Sequence, residues 1–181
     1  MMKVTVFLGA SLGSRDIYKK EAARLGRLLA TSGHKLIYGG SNIGLMGILV
    51  SEFKKSGGHA HGIEVKRFYD AGMAFNNCDE YDVVETMSIR KNMMIDEGDV
   101  YAVLPGGVGT LDEMFEVLTD ISLDYPQKRV IMLNTVGFYD NLKQHIVKMV
   151  DEEFYKKENF EKIFWANNPE EVIDFINKCE K

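Results

Sequence analysis

A chain of 181 residues has length for one sizeable hydrophobic core and little for two, and 45% hydrophobic with 27% charged residues describes an ordinary globule. Its 22 basic against 27 acidic residues give a formal net charge of −5 with no long block of one sign, which argues against a dedicated nucleic-acid binder and against attachment to anionic lipid. Two cysteines, Cys78 and Cys179, stand far apart without metal-like spacing, so neither a disulfide framework nor a zinc knuckle is expected.

The opening "MMKVTVFLGASLG" carries one lysine and too short an apolar run for a signal peptide, and no later run has bilayer-spanning length, so a cytoplasmic protein is expected. "KVTVFLGAS" reads as a buried strand running into a glycine turn. From about Asp16 to Ser32, Ile17, Leu25, Leu28 and Leu29 recur at helical spacing, and Gly33 ends that helix. "HKLIYGG" is a second strand, "NIGLMGILVSEFKKSGG" a helix closed by Gly57 and Gly58, and "HAHGIEV" a third strand.

From Lys66 to Asp79 no period is visible, which predicts an irregular or lid-like stretch. "EYDVVET" follows as a strand, "SIRKNMMIDEG" as a helix, "DVYAVLPGG" as a buried strand and "TLDEMFEVLTDISL" as an amphipathic helix. "KRVIMLN" is a strand, "FYDNLKQHIVKMVDEEF" a helix, "EKIFWAN" a last strand, and "PEEVIDFINKCE" a helix opened by Pro169. Apolar strands alternating with helices predict an α/β fold: a doubly wound, mostly parallel sheet of about seven strands with helices on both faces, Rossmann-like. Residues 1–181 read as one such domain, with ligands beyond the carboxyl ends of the strands, near a switch in strand order.

Three strands end in glycine, at Gly9, at Gly39 and Gly40, and at Gly106 and Gly107, and in a parallel sheet these ends share one edge. Bare backbone amides beside helix N-termini make an anion site. A Rossmann G-x-G-x-x-G beginning at Gly107 requires glycine where Asp112 stands, and no loop continues as Gly-Lys-Ser/Thr. A dinucleotide or triphosphate site is therefore disfavoured, and a single phosphate, as in a nucleoside monophosphate, fits better.

Two segments admit two readings each. Thr110 to Glu113 matches a capping box, with Thr110 at the helix cap and Glu113 reaching back to a backbone amide, or it supplies a carboxylate for chemistry. In "TMSIRKNMM", Arg90 and Lys91 fall in the first turns of a helix, where the dipole disfavours cations; they mark a nearby anion, or they are solvated helix charges.

Taken together, these segments resemble the LOG family, the cytokinin riboside 5′-monophosphate phosphoribohydrolases long mislabelled as lysine decarboxylases. The family pattern P-G-G-x-G-T-x-x-E is met in full from Pro105 to Glu113, and the companion M-H-x-R-K pattern by Met87, Arg90 and Lys91, with Ser88 where histidine is usual. Further similarity lies in "VFLGAS", "YGGSNIGLMG" and "LNTVGFYDNL", so the likeness covers nearly the whole chain. The resemblance implies a homodimer that hydrolyses the N-glycosidic bond of a nucleoside 5′-monophosphate to base and ribose 5-phosphate. It implies Arg90 and Glu113 as the catalytic pair and the glycine loop as the phosphate holder. It implies no lysine decarboxylation, which normally needs pyridoxal phosphate on a lysine for which no segment argues. Departures from the pattern fall at Ser41, at "IEVKRF" in place of a V-I-P run, and at Asp120 and Ser122, positions near the base pocket in the family.

On this reading Glu113 stabilises charge at C1′ and takes a proton from water, and its place in the first turn of a helix favours the ionised form. Arg90, which does not give up its proton, orients substrate and Glu113, with Lys91 assisting. Gly106, Gly107, Gly109 and Thr110 cradle the 5′-phosphate, Ser11 adds a donor, and Met46 and Met87 touch the base. Neither metal nor other cofactor is called for, and His59 and His61 read as structural. Met93, Met94 and Met114 read as core or interface filler. The competing reading is a non-catalytic protein that binds a nucleotide or a phosphorylated cofactor, with a dehydrogenase third.

Overall fold

Each predicted strand is present and the sheet is wholly parallel. The computed structural model describes residues 1–123 and 128–179. The strands are β1 (Lys3–Phe7), β2 (Lys35–Tyr38), β3 (Ala60–Val65), β4 (Glu80–Val84), β5 (Val100–Val103), β6 (Val130–Leu133) and β7 (Ile163–Ala166). They lie in the order β4-β3-β2-β1-β5-β6-β7, each parallel to its neighbours. The helices are α1 (Asp16–Thr31), α2 (Gly44–Lys55), α3 (Lys66–Asp70), α4 (Met87–Glu97), α5 (Val108–Ser122), α6 (Asp140–Asp151), α7 (Lys157–Phe160) and α8 (Pro169–Cys179). The expected last helix ran one residue further, to Glu180, which lies outside the described residues.

Side-chain alternation along the central strands builds two cores. Val4 and Val6 of β1 and Ala102 of β5 pack with Leu25 and Leu29 of α1, Leu49 and Phe53 of α2, and Val172 and Ile176 of α8. Phe7, Tyr101 and Val103 point the other way, into a cluster with Met94 and Ile95 of α4 and Met114, Val117 and Ile121 of α5. Because both faces are covered, the strands read as continuous apolar runs. The one polar residue buried in β1, Thr5, donates to the Met94 carbonyl at 2.9 Å. Met94 and Met114 are buried core filler, as their spacing suggests.

The stretch without periodicity does hold structure. After α3, the Asn42 N–H donates to the Met73 carbonyl at 2.6 Å, the Phe75 N–H donates to the Gly40 carbonyl at 3.0 Å, and Ser41 bridges Ala74. The segment is thus stitched across the loop that follows β2. Its order is non-local in origin, which is why no local pattern announces it. The paired histidines are structural in placement: His61 bonds Glu97 of α4 at 2.7 Å and Asp82 of β4 at 3.0 Å, and His59 lies 3.5 Å from Glu80.

Strand β1 has β2 on one side and β5 on the other, so the chain leaves it in one direction and returns on the other side. The loops after β1 and β5 part at this switch point and leave a crevice at the carboxyl edge. Helices α1 and α2 approach closely at Gly26, where a side chain would meet the Leu49 carbonyl and come within 3.2 Å of the Phe53 nitrogen. Gly26→Val is expected to cost on the order of 2 kcal/mol through overpacking, read as a lower urea midpoint with an unchanged slope.

Candidate active site

The crevice opens into a cavity of ≈ 670 Å³, within the range of small-molecule sites. Its walls come from the loops after β1, β2, β3 and β5 and from α4 and α5. The β1 and β5 loops are tied together: the Leu104 N–H donates to the Phe7 carbonyl at 2.9 Å, and the Gly9 N–H to the Pro105 carbonyl at 3.2 Å. Tyr139, buried before α6, donates its hydroxyl to the Leu104 carbonyl at 2.7 Å and accepts from the Gly106 backbone. No pattern in "GFYDNL" marks Tyr139 as the support of a loop more than thirty positions earlier.

The three glycines of "LPGGVGT" have different reasons. A Cβ on Gly106 would collide with the Thr110 side chain, so its smallness is a packing requirement. Around Gly107 and Gly109 a Cβ would meet nothing within 4 Å: these positions border open space. Gly107 is the N-cap of α5 and supplies no side-chain cap, so the first-turn amides of α5 stay available at the cavity. The capping box expected of Thr110 and Glu113 does not form. Helix α5 starts at Val108, two residues ahead of Thr110, which places Thr110 inside the first turn and Glu113 in the second.

Glu113 turns inward. Both it and Arg90 of α4 are 7% exposed, and Arg90 Nη1 donates to Glu113 Oε1 at 2.9 Å. Arg90 Nε donates to the Ile63 carbonyl at 2.9 Å, which aims the guanidinium across the end of β3. The guanidinium also passes over Gly39, where any side chain would strike Nη2. The anion beside Arg90 is therefore a carboxylate of the protein, and Arg90 is not a solvated helix charge.

Burial pushes the Glu113 carboxyl above its ordinary value, and Arg90 pulls against that without reversing it. The expectation that the helix terminus would favour the ionised form is corrected accordingly. One turn deeper than the first, and shielded from water, the carboxyl is governed by desolvation.

The other expected site residues divide. Ser11, Met46, Met87, Gly106, Gly107, Gly109 and Thr110 all line the cavity with Arg90 and Glu113. Lys91 does not. Its ammonium sits 2.9 Å from Asp112 and 2.7 Å from Glu116, a helix-to-helix tie between α4 and α5 by residues outside the cavity lining. Among the departures from the family pattern, Ser41 lines the cavity and so does Glu64 of "IEVKRF". Asp120 and Ser122 do not: Asp120 pairs with Lys128 at 2.6 Å, and Ser122 donates to the Leu118 carbonyl at 2.9 Å. Sequence reasoning also missed Phe68, Met73, Tyr18 and Phe138, which complete the apolar wall.

The model of the family described as "Possible lysine decarboxylase" matches residues 46–176. The chain is 36% identical over 171 residues to cytokinin riboside 5′-monophosphate phosphoribohydrolase LOG5 of Arabidopsis thaliana, covering 94% of this chain and 75% of that protein. It is 34% identical over 176 residues to the probable enzyme LOGL2 of Oryza sativa subsp. japonica, covering 97% of this chain and 72% of that one.

The chain belongs to the LOG family.

Its Rossmann-like fold is also that of the molybdenum cofactor binding protein from Rippkaea orientalis, with a TM-score of 0.78, 26% identity, and coverage of 99% and 98% of the two chains. Among the described residues no lysine lines the cavity, so none of them offers pyridoxal phosphate an amine there, which sets this site apart from the family description. Among the described residues no cluster of three metal-ligating side chains is placed to hold an ion, and no helix is long and apolar enough to cross a membrane.

Two measurements probe this LOG-family site directly. An NMR titration of the Glu113 carboxyl carbon should give a midpoint above the ordinary glutamate value, and Arg90→Met should move it further up; a downward move would contradict the balance of burial and charge described here. Tyr139→Phe should cost about 1 kcal/mol in chemical denaturation, the size of one buried hydrogen bond.

Proposed function

We propose that this chain is a phosphoribohydrolase: it adds water across the bond between C1′ of a nucleoside 5′-monophosphate and its base nitrogen, releasing the free base and ribose 5-phosphate. The observation that carries this reading is the buried Arg90–Glu113 pair in the same cavity as the uncapped amides of α5. An anion site alone needs glycines and a cation. It has no use for a carboxylate, which would repel phosphate.

Breaking the glycosidic bond builds positive charge on the ribose. Glu113 stabilises that charge and accepts the proton of the attacking water, and a carboxyl raised by burial is a better base at neutral pH than an ordinary glutamate. Arg90 holds one carboxylate oxygen, fixing the other toward the reacting carbon. The amides of Gly107, Gly109 and Thr110 hold the 5′-phosphate, with Gly106 shaping the turn, and Ser11 offers a further donor. Phosphate binding thereby positions a carbon it does not touch. Met87 and Met46 contact the base, and Lys91 contributes by fixing α4 against α5.

The LOG relatives are named for cytokinin ribotides, and substrates of the AMP and cytokinin ribotide type are the ones proposed here. The reading further takes residues 1–181 as one domain that works as a homodimer, with exposed Met87 and Ile89 on α4 as apolar contact area. It places the protein in a reducing, cytoplasmic compartment, where the free thiols of Cys78 and Cys179 persist. A second reading, binding of a phosphorylated cofactor without turnover, draws support from the likeness to the Rippkaea protein.

Incubation with a panel of nucleoside monophosphates separates the two, because only an enzyme releases base and ribose 5-phosphate. Glu113→Gln should fold and lose about a hundredfold to ten-thousandfold in kcat. The acid limb of the rate profile should lie above the ordinary glutamate value, since the base must be ionised. Adenosine should be a far worse substrate than AMP; equal rates would remove the role given to the α5 amides.

A further inference from the structure

A second carboxylate lies in the same cavity, and the reaction just described leaves it idle. Glu64, near the end of β3, is 1% exposed yet lines the cavity wall. Its Oε2 accepts from the Ser41 hydroxyl, and its Oε1 accepts from the Val65 N–H at 2.9 Å. Among the described residues no lysine or arginine pairs with it; Arg90, in the same cavity, donates from Nη1 to Glu113 and from Nε to the Ile63 carbonyl. A carboxylate offers about four acceptor positions, so roughly half of this one's capacity is unused. Burying such a group without filling that capacity is costly, and a donor from a bound molecule would fill it.

The sheet places Glu64 at a telling distance from the phosphate loop. From β5, whose loop carries the α5 amides, to β3, which carries Glu64, there are three strand spacings, roughly 14 Å. An extended nucleoside monophosphate is of comparable length. Glu113 and Arg90 occupy the middle of this span, since Arg90 reaches from the Ile63 carbonyl of β3 to the carboxylate of α5. With phosphate at one end and C1′ in the middle, the base falls beside Ser41, Glu64, Phe68 and Met73.

We propose that Glu64 is the specificity-determining residue for the base, that Ser41 is its positioning residue, and that together they select nucleotides whose base presents an N–H donor. This rests on the hydrolase reading above. A carboxylate accepts hydrogen bonds and donates none, so an amino group facing it is favoured, while an edge without a donor leaves it unsatisfied. AMP is then preferred over purine riboside 5′-monophosphate, which differs only in lacking the amino group. Ser41 holds Oε2, so the carboxylate meets the base in one orientation.

The test is kcat/KM for these two nucleotides in the wild-type protein, in Glu64→Met and in Ser41→Ala. Glu64→Met keeps an unbranched side chain of similar length and removes both acceptors. The AMP preference should fall about tenfold or more in Glu64→Met, the size of one charge-assisted hydrogen bond, and in the same direction in Ser41→Ala. The intrinsic difference between the two leaving groups cancels, because the same pair is compared in every protein. Inhibition by ribose 5-phosphate, which does not reach Glu64, should be unchanged; a merely structural role would weaken it and both substrates alike. If Glu64→Met does not fold, Ser41→Ala decides alone. Turnover with an unaltered preference in the variants that fold overturns base selection by Glu64 and leaves the hydrolase reading standing. Absence of turnover on every nucleoside monophosphate overturns both.

Discussion

The site depends on one buried ion pair. Arg90 and Glu113 come from helices on either side of β5 in the chain, and each lessens the cost of burying the other. Taking two charges out of water is expensive, and removing one partner strands the other. The pair survives because its surroundings are built to accept it: the Ile63 carbonyl takes Nε, and Gly39 leaves room where any side chain would block the guanidinium. The arginine in turn fixes a carboxylate that burial makes reluctant to ionise.

The fold explains why these groups meet. Helix α4 leads into β5 and α5 leaves it, so two residues 23 positions apart arrive on the same face of one strand. Placing β5 beside β1, at the switch in strand order, opens the crevice above them. Tyr139 then anchors the β5 loop from beneath, and the stretch after α3 roofs the far side by pairing with the loop after β2. A ligand in this cavity meets backbone amides at one end and side-chain carboxylates further along.

That gradient separates the LOG-family site from a plain anion pocket. The same fold, at 26% identity, belongs to a molybdenum cofactor binding protein, so architecture by itself is neutral between carrying and cleaving. The carboxylates carry the distinction. Glu113 accepts from Arg90, Glu64 accepts from the Ser41 hydroxyl and the Val65 N–H, and both line the one cavity.

Much of this was legible in the linear chain, and the rest divides cleanly by physical cause. Apolar runs broken by glycine announced the strands, and the 3.6-residue spacing announced the long helices, because both signals are carried by neighbours in sequence. "PGGVGTLDE" and "RK" marked the site for the same reason. The sequence misled where two local explanations competed: Thr110 and Glu113 spell a capping box, and only the earlier helix start at Val108, uncapped by Gly107, frees Glu113 to turn toward Arg90. Lys91 was expected to assist Arg90, yet one step along a helix is about 100°, which sends its ammonium to Asp112 and Glu116 instead of the cavity. Asp120 and Ser122 lie toward the other end of α5, too far along the helix to share its N-terminal pocket. Composition and periodicity determined the sheet, its helices and which loops would face a ligand. Tertiary structure alone decided which charges pair, how deeply Glu113 is buried and that Glu64 shares its cavity, since desolvation and pairing are set by residues distant in sequence and near only after folding.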